Sequence, residues 1–143
     1  IRFLLEQGAD PNGISYSEIF TYSEEVYRRS YLSSLIRISS EDGLQNNKEG
    51  KVVDIIRLLK EYGLDPNYVN GEPLPLAVFY RRKGYRRTSV IRELLRMGAD
   101  PKKDGLRYKG AYYSAKDLAK IRDDDYLKDM LKDKRYKEVR KNN

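Results

Sequence analysis

The stretch IRELLRMGADP, residues 91–101, combines an amphipathic helix pattern with an abrupt stop signal. Two further stretches repeat it: IRFLLEQGADP at residues 1–11 and IRLLKEYGLDP at residues 56–66. When the three copies are aligned on their glycines, an Ile, an Arg and a Leu before the glycine coincide, as do the Asp and Pro after it. The apolar positions recur at helical spacing, so each copy predicts one short helix with one apolar face.

The glycine and the proline account for the stop. Gly8, Gly63 and Gly98 are expected to end their helices in the left-handed conformation, which costs little only without a Cβ. The proline three residues later cannot extend a helix and biases the preceding Asp toward extended geometry. Such a short helix cannot bury its apolar face alone. Copies at intervals of 55 and 35 residues therefore predict a stacked repeat.

A second helix is predicted in each unit, before the glycine-terminated one. Its sequence is GEPLPLAVFYRR at residues 71–82 and AYYSAKDLAKIR at residues 111–122. The order of elements in a unit is a loop, a helix of the form T-P-L-x-L-A, a turn and a helix ending in L-L-x-x-G-A-D. This order resembles the ankyrin repeat family, whose period is about 33 residues. The resemblance implies an all-α fold, an ankyrin-type helix-turn-helix repeat solenoid with finger-like loops. The chain departs from the family where Glu72 and Ser114 replace its Thr, and Pro75 and Asp117 its usual His.

The repeat pattern divides the chain into a single array of about three and a half units. The predicted units are the end of a truncated repeat, an enlarged repeat, a regular repeat and a C-terminal capping repeat, at residues 1–12, 13–67, 68–102 and 103–143. Because the pattern begins inside a unit, the array is expected to continue upstream of Ile1.

Two units deviate from the regular pattern. In the enlarged unit, the first helix is expected within residues 23–39, a polar loop at 39–50 and the second helix from Lys51, with 13–22 as extra loop or helix. In the last unit Leu127, Met130 and Leu131 keep the apolar register, but Lys134 replaces the glycine. A polar final helix would suit a cap, because the last unit of a solenoid has an apolar face to shield.

The composition excludes several kinds of chemistry. The chain contains no Cys, His or Trp, so thiol nucleophiles, Ser-His pairs, disulfides and the usual zinc sites cannot be built. No apolar run approaches the roughly 18 residues of a membrane span, and no signal-peptide pattern is present. We therefore predict a protein that is not an enzyme, has no cofactor, metal site or small-molecule substrate, and is cytoplasmic.

Two motifs could still suggest a catalytic or metal site. The pair Tyr112 and Lys116 has the Tyr-x-x-x-Lys spacing of short-chain dehydrogenases, but the glycine-rich turn that seats a dinucleotide is missing. The alternative, which we favour, is that Ser114 begins a helix. The run Asp123–Asp125 could be read as cation ligands, but carboxylates also suit a helix start, where N–H groups are unpaired. We favour the helix start here as well.

Charge is distributed unevenly along the chain. Residues 1–80 hold 8 Lys and Arg against 12 Asp and Glu, a net charge of −4, whereas residues 81–143 hold 21 against 10, a net charge of +11. The densest basic stretch, YRRKGYRR at residues 80–87, is predicted to be the turn between two helices. It can be a solvated turn or a phosphate-binding surface. The asymmetry favours an acidic partner or an anionic surface near the C-terminal half.

Resemblance to the ankyrin family implies a binding module without catalysis that recognises another protein on its concave face. The family's variable positions lie in the finger loops and just after the Leu-Ala of the inner helix, which here includes residues 120–122. The predicted partner-binding residues are Tyr68, Asn70, Phe79, Tyr80, Lys103, Arg107, Tyr108, Lys109 and Arg122. They mix aromatic rings with positive charge, which predicts an acidic or mixed protein surface as partner. Two alternatives remain open: electrostatic binding of nucleic acid or an anionic membrane by the basic half, and a structural tail of a larger protein.

Overall fold

The computed structural model describes residues 1–17, 27–41, 48–67, 71–81 and 88–132. This part of the chain is mainly helical, as predicted, and its strands are confined to two antiparallel hairpins. In chain order the elements are α1 (Arg2–Glu6), β1 (Ile14–Ser17), β2 (Tyr27–Ser30), α2 (Tyr31–Glu41), α3 (Lys48–Glu61), α4 (Pro73–Tyr80), α5 (Ser89–Arg96), β3 (Leu106–Tyr108), β4 (Ala111–Tyr113), α6 (Ala115–Ile121) and α7 (Asp125–Met130).

The helices pack as successive pairs in two rows. In one row α2 contacts α4 and α4 contacts α6, while in the other row α3 contacts α5. The pairs themselves are α2 with α3, α4 with α5, and α6 with α7. Each pair therefore lies against the next pair along the chain, and the hydrophobic core is continuous from α2 to α7.

The apolar face predicted from the repeated stretch is confirmed in α5, where Ile91, Leu94 and Leu95 are at most 1% exposed. The row of first helices is centred on α4, which buries every residue from Pro73 to Val78, since it packs against neighbours on both sides. In the first copy the equivalent residues Ile1 and Leu4 are 58% and 59% exposed, and only Leu5, at 6%, is buried.

The three glycines end their helices as predicted. Gly8, Gly63 and Gly98 have φ values of 93°, 96° and 101°, in the left-handed region. In each copy, the N–H of the residue after the glycine donates to the carbonyl five residues back, at 2.9–3.0 Å, as from Ala99 to Leu94. These are Schellman caps, which satisfy carbonyls that the helix end leaves unpaired.

Asparagine side chains connect one cap to the next. Asn67 follows the Asp-Pro of its own unit, and its Nδ2 donates to the carbonyl of Gly98 at 3.0 Å. Its Oδ1 accepts the N–H of Asp100 at 2.9 Å. Asn12 makes the same two bonds to the cap of its own next unit, to Gly63 and Asp65, at 3.0 and 2.7 Å. The helix ends of three successive units are thus joined in a regular chain of hydrogen bonds.

Each hairpin directly precedes a helix of the first row. In the second hairpin the two turn residues, Lys109 and Gly110, have φ values of 49° and 80°. Positive φ at both positions is the geometry that matches the twist of the flanking strands. The predicted finger in this unit is therefore an ordered β-hairpin whose tip carries a positive charge.

The first hairpin corrects the prediction for the enlarged unit. Residues 14–17 form a strand where loop or helix was expected, and α2 starts at Tyr31 because the preceding residues pair as β2. The hydroxyl of Ser30 accepts the N–H of Ser33 at 3.1 Å, which is an N-cap that fixes this helix start. The helix α3 begins at Lys48, three residues before the predicted start.

The apolar register of the last unit is confirmed, since Leu127, Met130 and Leu131 are at most 5% exposed. The polar capping helix was predicted through KDKRYKEVRKNN, residues 132–143, of which 133–143 lie outside the described residues. Among the residues that are described, no helix combines the length and apolar character needed to cross a membrane.

Candidate partner-binding surface

Three aromatic side chains from two successive units meet at the end of α4, and we call them the aromatic cluster: Phe79, Tyr80 and Tyr108. The ring centroids of Phe79 and Tyr80 are 5.4 Å apart with the planes at 88°, an edge-to-face contact. The centroids of Phe79 and Tyr108 are 5.1 Å apart at 54°. Such tilted contacts are the favoured geometries for aromatic pairs. Phe79 and Tyr80 are half-buried and Tyr108 is 43% exposed, so the cluster is anchored in the core and open to solvent.

The second hairpin places Tyr108 in the cluster by strand alternation. Tyr108 shares a face with Leu106, which is 4% exposed and belongs to the core. Arg107 lies between them and pairs across the hairpin with Tyr112, on the opposite face. Both of these side chains are exposed. The hairpin therefore has one face against α4 and one face toward solvent.

Two cations lie against the aromatic cluster. The Nζ of Lys109 is 5.3 Å from the centroid of Tyr108, and the Cζ of Arg122 is 5.4 Å from the centroid of Phe79. Both distances are within the roughly 6 Å over which a ring attracts a positive charge. The cluster consequently combines apolar area with positive charge at its edge.

Arg122 also has an internal role that sequence reasoning missed. Its guanidinium donates to the carbonyl oxygens of Val78 at 3.1 Å and Arg81 at 2.6 Å, and to that of Phe79. These carbonyls belong to the end of α4, where intrahelical donors run out. Burial lowers the pKa of Arg122, while the nearby Asp124 carboxylate opposes that shift. The side chain thus ties α6 to the end of α4.

A buried ion pair holds the same region from the other side. The side chains of Arg81 and Asp124 are only 6% and 10% exposed, and the guanidinium donates to Asp124 Oδ2. The other oxygen of Asp124 accepts the N–H of Leu127 at 3.2 Å, which caps α7. The prediction that the Asp123–Asp125 run marks a helix start is therefore confirmed at Asp124.

Ser114 likewise begins α6, as predicted. Its hydroxyl accepts the N–H of Asp117 and the Asp117 carboxylate accepts the N–H of Ser114, both at 3.1 Å. This capping box gives the Tyr112–Lys116 stretch a structural explanation, since the motif straddles a strand end and a helix start.

The structure brings five of the predicted site residues together: Phe79, Tyr80, Tyr108, Lys109 and Arg122. Arg107 lies on the far face of the hairpin. Lys103 is exposed, and its side chain covers Gly71, where a Cβ would come within 2.7 Å of the lysine Cγ. Tyr68 and Asn70 lie outside the described residues.

Other residues near the site escaped sequence reasoning for different reasons. Tyr112 is 59% exposed, and strand alternation opposite Arg107 would have identified it. The Arg81–Asp124 pair joins positions 43 residues apart, and no local pattern signals such a contact.

Comparisons of the chain with protein-family models, with curated proteins and with solved structures give no match.

Proposed function

We propose that this chain is an ankyrin-type repeat array, without catalytic activity, that binds another protein through the aromatic cluster and the tip of the second hairpin. Four features support the repeat assignment: successive helix pairs in two rows, three matching glycine caps, asparagine bonds between caps, and hairpins that precede helices of the first row. A repeat of this kind offers an extended surface along the first row of helices and the hairpins.

The observation that carries the binding proposal is the half-exposed aromatic cluster. It is assembled from α4 of one unit and β3 of the next, so a partner that covers it contacts both units. Interfaces are enriched in Tyr, Phe and Arg, and a few such side chains provide most of the affinity. Lys109 adds positive charge at the edge, which favours an acidic or mixed surface on the partner and speeds association.

Rigidity supports the proposal further. The guanidinium of Arg122 and the Arg81–Asp124 ion pair hold the end of α4 before any partner arrives. A surface that is already ordered loses less conformational entropy on binding. The cluster is therefore a pre-organised platform on which affinity depends on ring contacts.

The hairpin provides a matched pair of variants to test this proposal. Tyr108→Ala removes a ring from the cluster, whereas Tyr112→Ala removes an exposed ring from the opposite face of the same hairpin. Each chain would be used as bait in a lysate of the source organism or its host, at low and high salt and with nuclease. Bound proteins would be identified and quantified by mass spectrometry, and circular dichroism would verify folding.

A defined protein that is retained at high salt after nuclease, lost with Tyr108→Ala and kept with Tyr112→Ala supports the proposal. Equal capture by both variants removes the aromatic cluster from the interface. Capture that disappears with nuclease or salt in the unmodified chain instead favours electrostatic binding by the basic half.

A further inference from the structure

The three aligned arginines of the repeated stretch each contact the following unit. In the glycine-aligned copies they are Arg2, Arg57 and Arg92. Two of them meet carboxylates, whereas the third meets a phenol. The contacts are Arg2 with Glu61 at 3.5 Å, Arg57 with Glu93 at 3.3 Å, and Arg92 Nη2 with the hydroxyl of Tyr126 at 2.7 Å. We call each of these three contacts between units a rung. Among the three, the rung between α5 and α7 is the one in which the arginine has no anionic partner.

The surroundings of Tyr126 suit an added anion. Its side chain is 52% exposed and lies on the first turn of α7. The Cζ of Arg81 is 5.7 Å from its ring centroid, so a second guanidinium lies close by. The hydrogen bond from Arg92 lowers the pKa of the Tyr126 phenol, which indicates that the site stabilises negative charge on this oxygen.

The carboxylates beside Tyr126 already have cationic partners. Lys128 contacts Asp123 at 2.6 Å and Asp125 at 3.4 Å, and Asp124 is paired with Arg81. The repulsion that these acids would exert on a new anion is correspondingly reduced. Arg92, by contrast, donates to the neutral hydroxyls of Tyr126 and Thr88. It is the cation best placed to receive a new negative charge.

We propose that Tyr126 is a tyrosine phosphorylation site whose phosphate is received by Arg92, completing the third rung between neighbouring units. In the transfer, the phenol oxygen attacks the γ-phosphorus of a nucleoside triphosphate held by a tyrosine kinase. A new O–P bond forms as the bond to the β–γ bridging oxygen breaks, the nucleoside diphosphate leaves with that electron pair, and the phenol proton passes to a kinase carboxylate.

The modification strengthens the contact between α5 and α7. A phosphate carries close to two negative charges at pH 7 and offers three strong acceptor oxygens. Arginine binds such a group through two parallel N–H donors, which is stronger and more directional than its present bond to a phenol. The last unit therefore becomes more tightly attached to the array when Tyr126 is phosphorylated.

The first part of the test measures stability and phosphate ionisation in the 143-residue chain with phosphotyrosine incorporated at position 126. Its Tm is compared with that of the unmodified chain, each with Arg92 and with Arg92→Gln. We expect phosphorylation to raise Tm by about 2–4 °C only when Arg92 is present. The phosphorus NMR titration should show a second phosphate pKa below its usual value of about 6, and Arg92→Gln should reverse this shift.

The expected lowering of the phosphate pKa also predicts how the Tm difference depends on pH. A phosphate whose pKa is depressed in the folded chain stabilises it above the unfolded-state pKa, and the gain is lost as pH falls through the folded-state pKa. The Tm difference should therefore be present at pH 7.5 and disappear toward pH 5. An unchanged or lower Tm, or a gain that persists in Arg92→Gln, would overturn the assignment of Arg92 as receiver.

The second part tests access. The folded chain and its Tyr126→Phe variant are incubated with several tyrosine kinases and Mg-ATP, and modified residues are mapped by mass spectrometry. We expect phosphate on Tyr126 of the unmodified chain, and no labelling of the corresponding peptide in the variant. Labelling of other tyrosines without Tyr126 would show that the residue is not a kinase site in the folded chain.

Discussion

The buried ion pair between Arg81 and Asp124 provides the most demanding test of the structure. The substitution Asp124→Asn keeps the shape of the side chain and an oxygen that can accept the N–H of Leu127, so the cap of α7 is retained. What it removes is the negative charge beside Arg81, whose side chain is 6% exposed. The variant therefore isolates the electrostatic part of the contact from the capping part.

The expected loss in the free energy of unfolding is large because a guanidinium would remain buried without its counter-charge. Breaking a buried pair by removing one partner costs about 3–5 kcal/mol. The amide oxygen keeps the bond from Leu127, so the amide NH2 faces the guanidinium and we expect a loss of at least about 3 kcal/mol for Asp124→Asn. Arg81→Met should cost a similar amount because it leaves the carboxylate unpaired. The double variant should be less destabilised than either single one, by about 2 kcal/mol, because no uncompensated charge remains.

Urea unfolding followed by circular dichroism would give the free energy of unfolding for all four chains. A loss of about 3 kcal/mol corresponds to a fall in Tm of roughly 6–12 °C for a chain of this size. Equal m values would show that the same surface is exposed on unfolding in each case. If Asp124→Asn costs less than about 1 kcal/mol, or if the double variant shows the sum of the two single losses, the pair is not buried and coupled as described.

Three further predictions concern the caps and the rung between units. Asn67→Ala should lower the free energy of unfolding by about 1–2 kcal/mol because two bonds to the next cap are lost, and Asn67→Asp by roughly half as much since the acceptor remains. Gly63→Ala should lower the free energy of unfolding by about 1–2 kcal/mol because the φ of Gly63 is 96°. Gly50→Ala should raise it by about 0.5 kcal/mol because Gly50 lies inside α3 with open space around it. Both sets are measured by urea unfolding, and a destabilising Gly50→Ala or a neutral Gly63→Ala would contradict the assigned backbone. Arg92→Ala should raise the pKa of the Tyr126 phenol, measured by carbon-13 NMR of the labelled ring, because its hydrogen bond lowers that pKa; an unchanged pKa would mean that this bond is absent in solution.

The helix ends were predictable from short stretches of sequence. Left-handed geometry at Gly63 and Gly98 follows from the need for a residue without a Cβ, whatever lies nearby. The start of α6 at Ser114 follows from a capping box four residues long. The start of α2 was missed because its cap, Ser30, is the last residue of a strand, and that strand exists only through pairing with residues 14–17.

The candidate surface was predictable as a composition but not as a geometry. Phe79, Tyr80 and Tyr108 were expected to bind a partner, and the structure adds that the ring of Phe79 contacts both tyrosines. The contact between Phe79 and Tyr108 depends on how one unit docks on the next, which local propensities do not encode. The same holds for Arg122, which looks like a surface cation in the sequence and instead donates to carbonyls at the end of α4.

The sequence by itself determined the periodic elements, since helix spacing, glycine stops and serine caps act within a few residues and need no tertiary contact. It also determined the excess of positive charge in the second half and the absence of thiol and imidazole chemistry. Only the tertiary structure decided which charges are used internally, as in the Arg81–Asp124 pair, and which rings stay open to solvent. The physical reason is that burial and pairing are properties of the space between units, and residues more than 40 positions apart meet there.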